Sequence, residues 1–336
     1  MNLPNNVLFE ILLNSDYEEI LKICRSVPDF FKICQQPYFW SRKAEKDFGI
    51  SNNDLLLIHA RDNKARYEFI YNITNPNDGL IKAAKIGSLG LVKYFIEQGA
   101  DLHVNNDEAL RFAARYGHLG IIKYLVEHGA DLHADNEEAL GWAAEHGHLD
   151  VVKFLVKHGA DLHSEDEEAL RLAASHGHLE VVKYLFEQGV DLHTYNEQAL
   201  RLAARNGHLG VVKYLVYQGA DLHANNEEAL GSAAINGHLE IVKYLIEQGA
   251  DLHADNEEAL GWAAEYGHLD IVKFLVGLGA DLHAEDEEAL RSAAGMGRLE
   301  VIKYLVEQGA DPMVILDNPE EYPEKVITLV KQLSHL

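Results

Sequence analysis

A unit of 30 residues recurs eight times between about Asn72 and Ala310, and nothing else in the chain restricts the possible folds so severely. Each copy reads Asp-Leu-His, a few polar residues, Glu-Ala-Leu, Ala-Ala, Gly-His-Leu and then Val-Lys-Tyr-Leu-Val-Glu-Gln-Gly-Ala, with small variations. A unit this short cannot bury an apolar face of its own, so copies must stack on their neighbours as a quasi-linear solenoid. Stacking of that kind produces a long exposed surface, which points to binding before catalysis.

Residues 131–160 show the local logic. Asn136 is placed to cap a helix whose first turn carries Glu137 and Glu138, acids that complement the positive end of the helix dipole. Ala139, Leu140, Ala143 and Ala144 follow helical spacing and form a small-residue face for close approach, and Gly147 stops the helix in a left-handed conformation. Leu149, Val152, Leu155 and Val156 stripe a second helix that ends at Gly159. About six residues remain between units, enough for a turn or a short extended finger and tight for a hairpin.

Two antiparallel helices with Ala-Ala, Gly-His-Leu and Gly-Ala-Asp signposts resemble the ankyrin repeat. That family repeats at about 33 residues with Thr-Pro-Leu-His opening the first helix. Here Glu-Ala-Leu stands in that place and the period is shorter, so the finger is expected to be stunted. The short form is similar to ankyrin repeats abundant in giant DNA viruses of amoebae. The resemblance implies an all-α fold: an ankyrin-type helical solenoid of eight 30-residue repeats over 72–310, with a concave groove lined by the fingers and the first helices.

Comparing the copies with one another separates positions that build the stack from positions left free. Freedom concentrates in the finger, at the residue before Ala-Ala and at the two residues before the first glycine. These positions make Phe112, Arg115, Tyr116, Trp142 and His146 candidates for contact with a partner. The same positions farther along add His176, Tyr195, Leu202, Arg205, Asn206, Trp262 and Tyr266. Arg115 and Arg205 have no acid three or four residues before them and are placed to hold a partner carboxylate, whereas Arg111, Arg171, Arg201 and Arg291 follow an acid by four and are expected to pair with it. Units 131–160 and 251–280 differ only at 146/266, 151/271, 157/277 and 158/278, the mark of internal duplication. Gly141 and Gly261 precede the tryptophans Trp142 and Trp262 inside a helix, and their cost of about 1 kcal/mol is expected to give the indole room.

Two histidine ladders recur, one in the finger from His103 to His283 and one opening the second helix from His118 to His268. Equivalent residues of stacked units lie about a helix diameter apart, too far to converge on one ion, so no metal is expected; each imidazole should instead bond loop backbone. If folded neutral, such groups would cost the array stability in mild acid. With 54 acidic and 29 basic residues the net charge of −25 opposes nucleic acid and anionic membranes as partners. No catalytic motif and no cofactor-binding motif is present, so the reading is a non-enzyme. Cys24 and Cys34 read as ordinary buried thiols of a reducing interior, and no run reaches the ~20 apolar residues of a membrane span. A soluble monomer of the cytoplasm is expected, with the nucleus left open.

Residues 1–50 follow a different pattern. Leu-Pro at 3–4, an Ile-Leu-x-x-Cys-Arg-x-Val core, Phe30-Phe31, Cys34, Pro37 and Trp40 resemble an F-box, a compact three-helix module. The resemblance implies docking onto the Skp-type adaptor of a cullin ubiquitin ligase through Leu3, Pro4, Val7, Leu8, Ile11 and Leu12. The plainer alternative is a helical plug over the first repeat. A linker helix is expected within 51–71 and a helical cap over 311–336. The whole then reads as a protein–protein interaction adaptor, a substrate receptor that holds a client protein in the ankyrin groove; the rival is a scaffold or host-factor decoy without a ubiquitin link.

Overall fold

The computed structural model describes residues 4–334, and these fold into helices and turns with no strand among the described residues. The chain divides into two compact units, Met1–Asp161 and Leu162–Leu336. The first holds the N-terminal helices and three repeats, and the second holds five repeats and the C-terminal cap. Every repeat is a helix pair, as in Glu228–Ile235 followed by Leu239–Glu247. Its core is drawn from the invariant letters: Leu230, Ala233, Ala234, Val242 and Leu245 are all buried. Alanine at the Ala-Ala pair lets neighbouring first helices approach closely, while the branched residues of the second helix fill the remaining space. Gly147 and Gly159 take positive φ, as their helix-ending roles require.

The finger is neither extended nor a helix cap. In seven successive fingers three non-glycine residues in a row adopt the left-handed conformation, as at Asn225, Asn226 and Glu227 with φ of 50°, 54° and 63°. Asn136 therefore sits inside a left-handed turn with φ 56°, not at a cap, and the right-handed helix starts after Glu137. Left-handed backbone costs an L-residue about 1–2 kcal/mol, least for Asn and Asp, which hold the middle position in all seven.

Three hydrogen bonds offset that cost. The Asp of Asp-Leu-His accepts the amide of the histidine two residues on, as Asp221 Oδ1 does from His223 at 2.9 Å. The histidine Nδ1 then donates to the carboxylate four residues on, in His223–Glu227 and at 2.5 Å in His253–Glu257. That same carboxylate oxygen accepts an amide from the following repeat: Asp251 N to Glu227 at 3.0 Å, Asp281 N to Glu257 at 3.0 Å. The glutamate is buried, and its second oxygen has no hydrogen-bond partner among the described residues. Finger histidines thus bond a carboxylate and not loop backbone. The second ladder behaves as expected, since His238 Nε2 reaches Arg205 O of the preceding repeat at 2.9 Å and His268 reaches Ile235 O at 2.8 Å.

The arginines differ from expectation for the same reason. With Glu197 committed to His193, Arg201 donates instead to the finger carbonyls of Asn196 and Tyr195 at 3.0 and 2.9 Å, and pairs with Glu228 of the next repeat. Arg111 does likewise with Asn106 O, Asn105 O, Asp135 and Glu138. The glycine that makes room for an indole is also displaced by one repeat. A Cβ on Gly231 would stand 2.6 Å from Cζ3 of Trp262, whereas one on Gly261 would meet nothing nearer than 3.9 Å.

In the first unit the N-terminal module has four helices where three are expected: Asn5–Asn14, Tyr17–Ser26, Pro28–Cys34 and Pro37–Phe48. Pro28 and Pro37 each open a helix, because a missing amide costs nothing in a first turn. Two short helices, Asn52–Leu56 and Asn63–Tyr71, replace the single linker helix. Cys24 and Cys34 are joined as a disulfide with Cα atoms 6.4 Å apart, so they are not separate buried thiols, and the inference from thiols to a reducing interior lapses. The module closes on the first repeat: Asp54 Oδ1 accepts from Ser88 Oγ at 2.8 Å and Gly90 N at 3.2 Å, and Phe48 packs edge-on against Tyr94. In the second unit Ile315, Val326 and Val330 are buried in the C-terminal segment, whose helix Glu324–Leu333 packs against Leu299–Glu307.

Gly261→Ala should stabilise the protein by about 0.5–1 kcal/mol, since alanine is the better helix former and the space is open. Gly231→Ala should cost about 1–3 kcal/mol through overpacking against the indole. Denaturant titration measures both; equal gains from the two would dismiss the packing argument.

The finger histidines His103, His133, His193, His223, His253 and His283 are all held above the ordinary 6.5, first by the hydrogen bond to the acid four residues on and then by its charge. Groups raised on folding contribute stability that is fully present below the unfolded value and lost as pH rises through the folded one. His118 opposes them: burial lowers it, so its contribution fades as pH falls. With six raised against one lowered, the melting temperature should be higher near pH 6 than near pH 8, the reverse of the behaviour expected of neutral histidines. Replacing His223 and His253 by Gln should flatten that rise; an unchanged slope would assign it to the net charge alone.

Candidate interaction site

The residues free to vary between repeats lie where the helix geometry leaves them accessible, and each unit presents them differently. In the unit Met1–Asp161 the residue before Ala-Ala is Lys82, Phe112 and Trp142 in successive repeats, and the column three residues on is Lys85, Arg115 and Glu145. Phe112 and Trp142 are half-buried with ring centroids 5.4 Å apart, and Tyr116 stacks on Phe112 at 6.3 Å. Lys85 Nζ stands 3.6 Å from the Phe112 centroid and the Arg115 guanidinium 5.1 Å from that of Trp142. Cations over aromatic faces gain from the ring quadrupole, more so as water is excluded. His146 turns back on its own helix, with Nδ1 3.0 Å from Trp142 O. The structure therefore brings Phe112, Arg115, Tyr116 and Trp142 into one cluster. Lys82 and Lys85, which complete it, escaped the sequence reading because the first repeat departs from the shared pattern; aligning its Ala83-Ala84 with the later pairs would have found them.

In the unit Leu162–Leu336 the candidates are more scattered. Tyr195 is exposed in its finger, its hydroxyl 2.5 Å from Asp166 Oδ2 and its ring 5.4 Å from the Arg171 guanidinium carbon. Both attractions tie it to the preceding repeat, and the hydrogen bond to Asp166 raises the phenol above its usual range. Asn206 spends its amide on Ser175 O and Oγ at 2.7 and 2.9 Å, and His176 Nδ1 lies 3.0 Å from Leu172 O. Arg205 is exposed near Glu228. Burial pushes that carboxyl up, and hydrogen bonds from Asn225 and Arg201 together with the two arginine charges more than offset it. Leu202 and Trp262 are half-buried and Tyr266 is exposed, each on the first helix of its own repeat.

The N-terminal helix carries a third candidate surface. Pro4, Val7 and Ile11 are exposed, the latter two at 38% and 39% and one helical turn apart. Leu8 and Leu12 are buried at 5% and 0%, so they hold the module's core together and are not contact residues. Leu3 lies outside the described residues. The split follows from helical spacing, since Leu8 and Leu12 share one face and Val7 and Ile11 the neighbouring one.

Among the described residues no group of three or more His, Cys, Asp or Glu is arranged to hold a metal ion, and no helix is long and apolar enough to cross a membrane. Comparison with curated proteins finds no match. The family model described as ankyrin repeats (three copies) matches residues 80–166, 162–226 and 230–315, most of the repeat array. Such repeats form protein–protein interaction scaffolds, and with the array built as paired helices on a 30-residue period, this chain belongs to the ankyrin-repeat family.

Proposed function

We propose that the chain is a substrate receptor: its N-terminal module binds the Skp-type adaptor of a cullin ubiquitin ligase, and the variable faces of its repeats hold a client protein. The observation that carries this is the exposed pair Val7 and Ile11 on the first helix of a module otherwise packed around Leu8, Leu12 and Trp40. Two apolar residues one turn apart, each more than a third exposed, fit the helix-in-groove style of docking. Catalysis then belongs to other subunits, and the workplace is the cytoplasm or nucleus. A second reading has its own support: the module covers the first repeat through Asp54 and Phe48, a structural task that suffices without an adaptor. On that reading the protein is a scaffold, or a host-factor decoy if its source is viral.

Recovery of a Skp-type adaptor by the full chain, compared with a Val7→Asp plus Ile11→Asp variant, separates the two. Loss of an apolar anchor at an interface costs about 2 kcal/mol or more, so adaptor affinity should fall at least about 30-fold in a variant that still folds. Failure of the wild-type chain to recover any adaptor would leave the scaffold reading in its place.

A further inference from the structure

We propose that the face formed by Lys82, Lys85, Phe112, Arg115 and Trp142 receives an extended acidic segment of a protein client, its carboxylates on the cations and its apolar or planar side chains on the rings. The inference rests on the reading of the repeats as client-binding and adds the chemistry of what is bound.

A chain with net charge −25 has little reason to gather cations at freely varying positions unless a partner supplies the opposite charge. Arg111, close by, is not such a cation. Its side chain is 11% exposed and it is fully engaged by Asp135, Glu138 and two finger carbonyls. Lys82 is exposed and has no carboxylate within 4.0 Å among the described residues, and neither has Arg115. Lys85 has only Glu108, at 3.9 Å. The aromatic floor matters as much as the charge. Lys85 and Arg115 lie against Phe112 and Trp142, which fixes their stems and keeps one side of each cation dry.

The same columns in the unit Leu162–Leu336 hold Leu172 and Ser175, Leu202 and Arg205, Ser232 and Ile235, Trp262 and Glu265, Ser292 and Gly295. Their single cation, Arg205, already lies in the field of Glu228. The cations are thus confined to the first two repeats, and Glu145, where the column changes sign beside Trp142 of the third, marks the limit of the face. Two repeats at about 10 Å each are spanned by about six residues of extended chain.

Fluorescence anisotropy of the full chain with a fluorescein-labelled peptide of alternating Glu and Tyr, twelve residues long, tests the proposal. The Glu peptide should bind at least about tenfold more tightly than its Gln-Tyr counterpart at low salt. Lys85→Glu plus Arg115→Glu should weaken it at least about tenfold with unchanged thermal melting, Lys85→Arg should restore most of the affinity lost in Lys85→Glu, and Lys303→Glu on a second helix should have no effect. Equal binding of the two peptides, or indifference to the double reversal, would overturn the proposal. Tighter binding of a twelve-residue oligothymidylate would overturn it in favour of nucleic acid. Adaptor recovery through Val7 and Ile11 uses neither cation, so loss of acidic-peptide binding with adaptor binding intact rejects this inference alone, and the converse rejects only the ligase role.

Discussion

One buried carboxylate in each repeat after the first is the joint on which the array depends. In the repeat that holds Glu227, a single oxygen takes the imidazole of its own finger and the backbone amide that begins the following unit. Removing that acid would leave an amide and an imidazole without their acceptor and three left-handed residues without their support. The imidazole is largely exposed while the carboxylate is not, so charge on the acid is compensated from the solvent side without burying a second ion. Alanines and branched residues supply most of the apolar burial, but they fit helices of many orientations. The carboxylate is what selects one finger conformation and one register between neighbouring units.

The two faces proposed for partners in the first unit have opposite chemical character. Val7 and Ile11 offer bare hydrocarbon on a short helix, whereas Lys85 and Arg115 offer charge held over aromatic rings. A partner suited to one is poorly suited to the other, so on the proposed reading two ligands would not compete. Asp54, Ser88 and the Phe48–Tyr94 contact form a polar and aromatic link that joins the N-terminal module to the first repeat.

Much of this was legible in the sequence because repetition substitutes for an alignment. The helix pairs, the alanine seam, Gly147 and the backbone-bonding task of His238 and its equivalents all followed from period and residue type. What was not legible depended on competition between partners. Asn136 followed by Glu137 and Glu138 reads as a helix start by every local rule, yet Glu137 is worth more bonded to His133 than at a helix terminus. Once Glu197 is taken in the same way, Arg201 must find other acceptors, and the finger carbonyls exposed by the left-handed turn are the nearest. Leu8 and Leu12 could not be separated from Val7 and Ile11 because all four are apolar, and only packing of the other module helices decides which face is covered. Gly231 was missed because its constraint comes from the next repeat's indole, 31 residues away in the chain and invisible to local spacing.

The joint recurs along the array. Asp131, Asp191, Asp251, Asp281 and Asp311 each donate their amide to the acid of the unit before, and at the array's start Asn77 accepts from Asp101 in the same manner with a neutral amide. A connector that recurs on both sides of a unit makes the units nearly interchangeable parts. Whole 30-residue blocks can be copied in or dropped out by unequal recombination without creating an unmatched seam, and the near identity of residues 131–160 and 251–280 is what such an event leaves behind. On the proposed reading the length of the client-binding surface would then change by whole repeats, between ends marked by Asn77 at one side and Asp311 with its proline at the other.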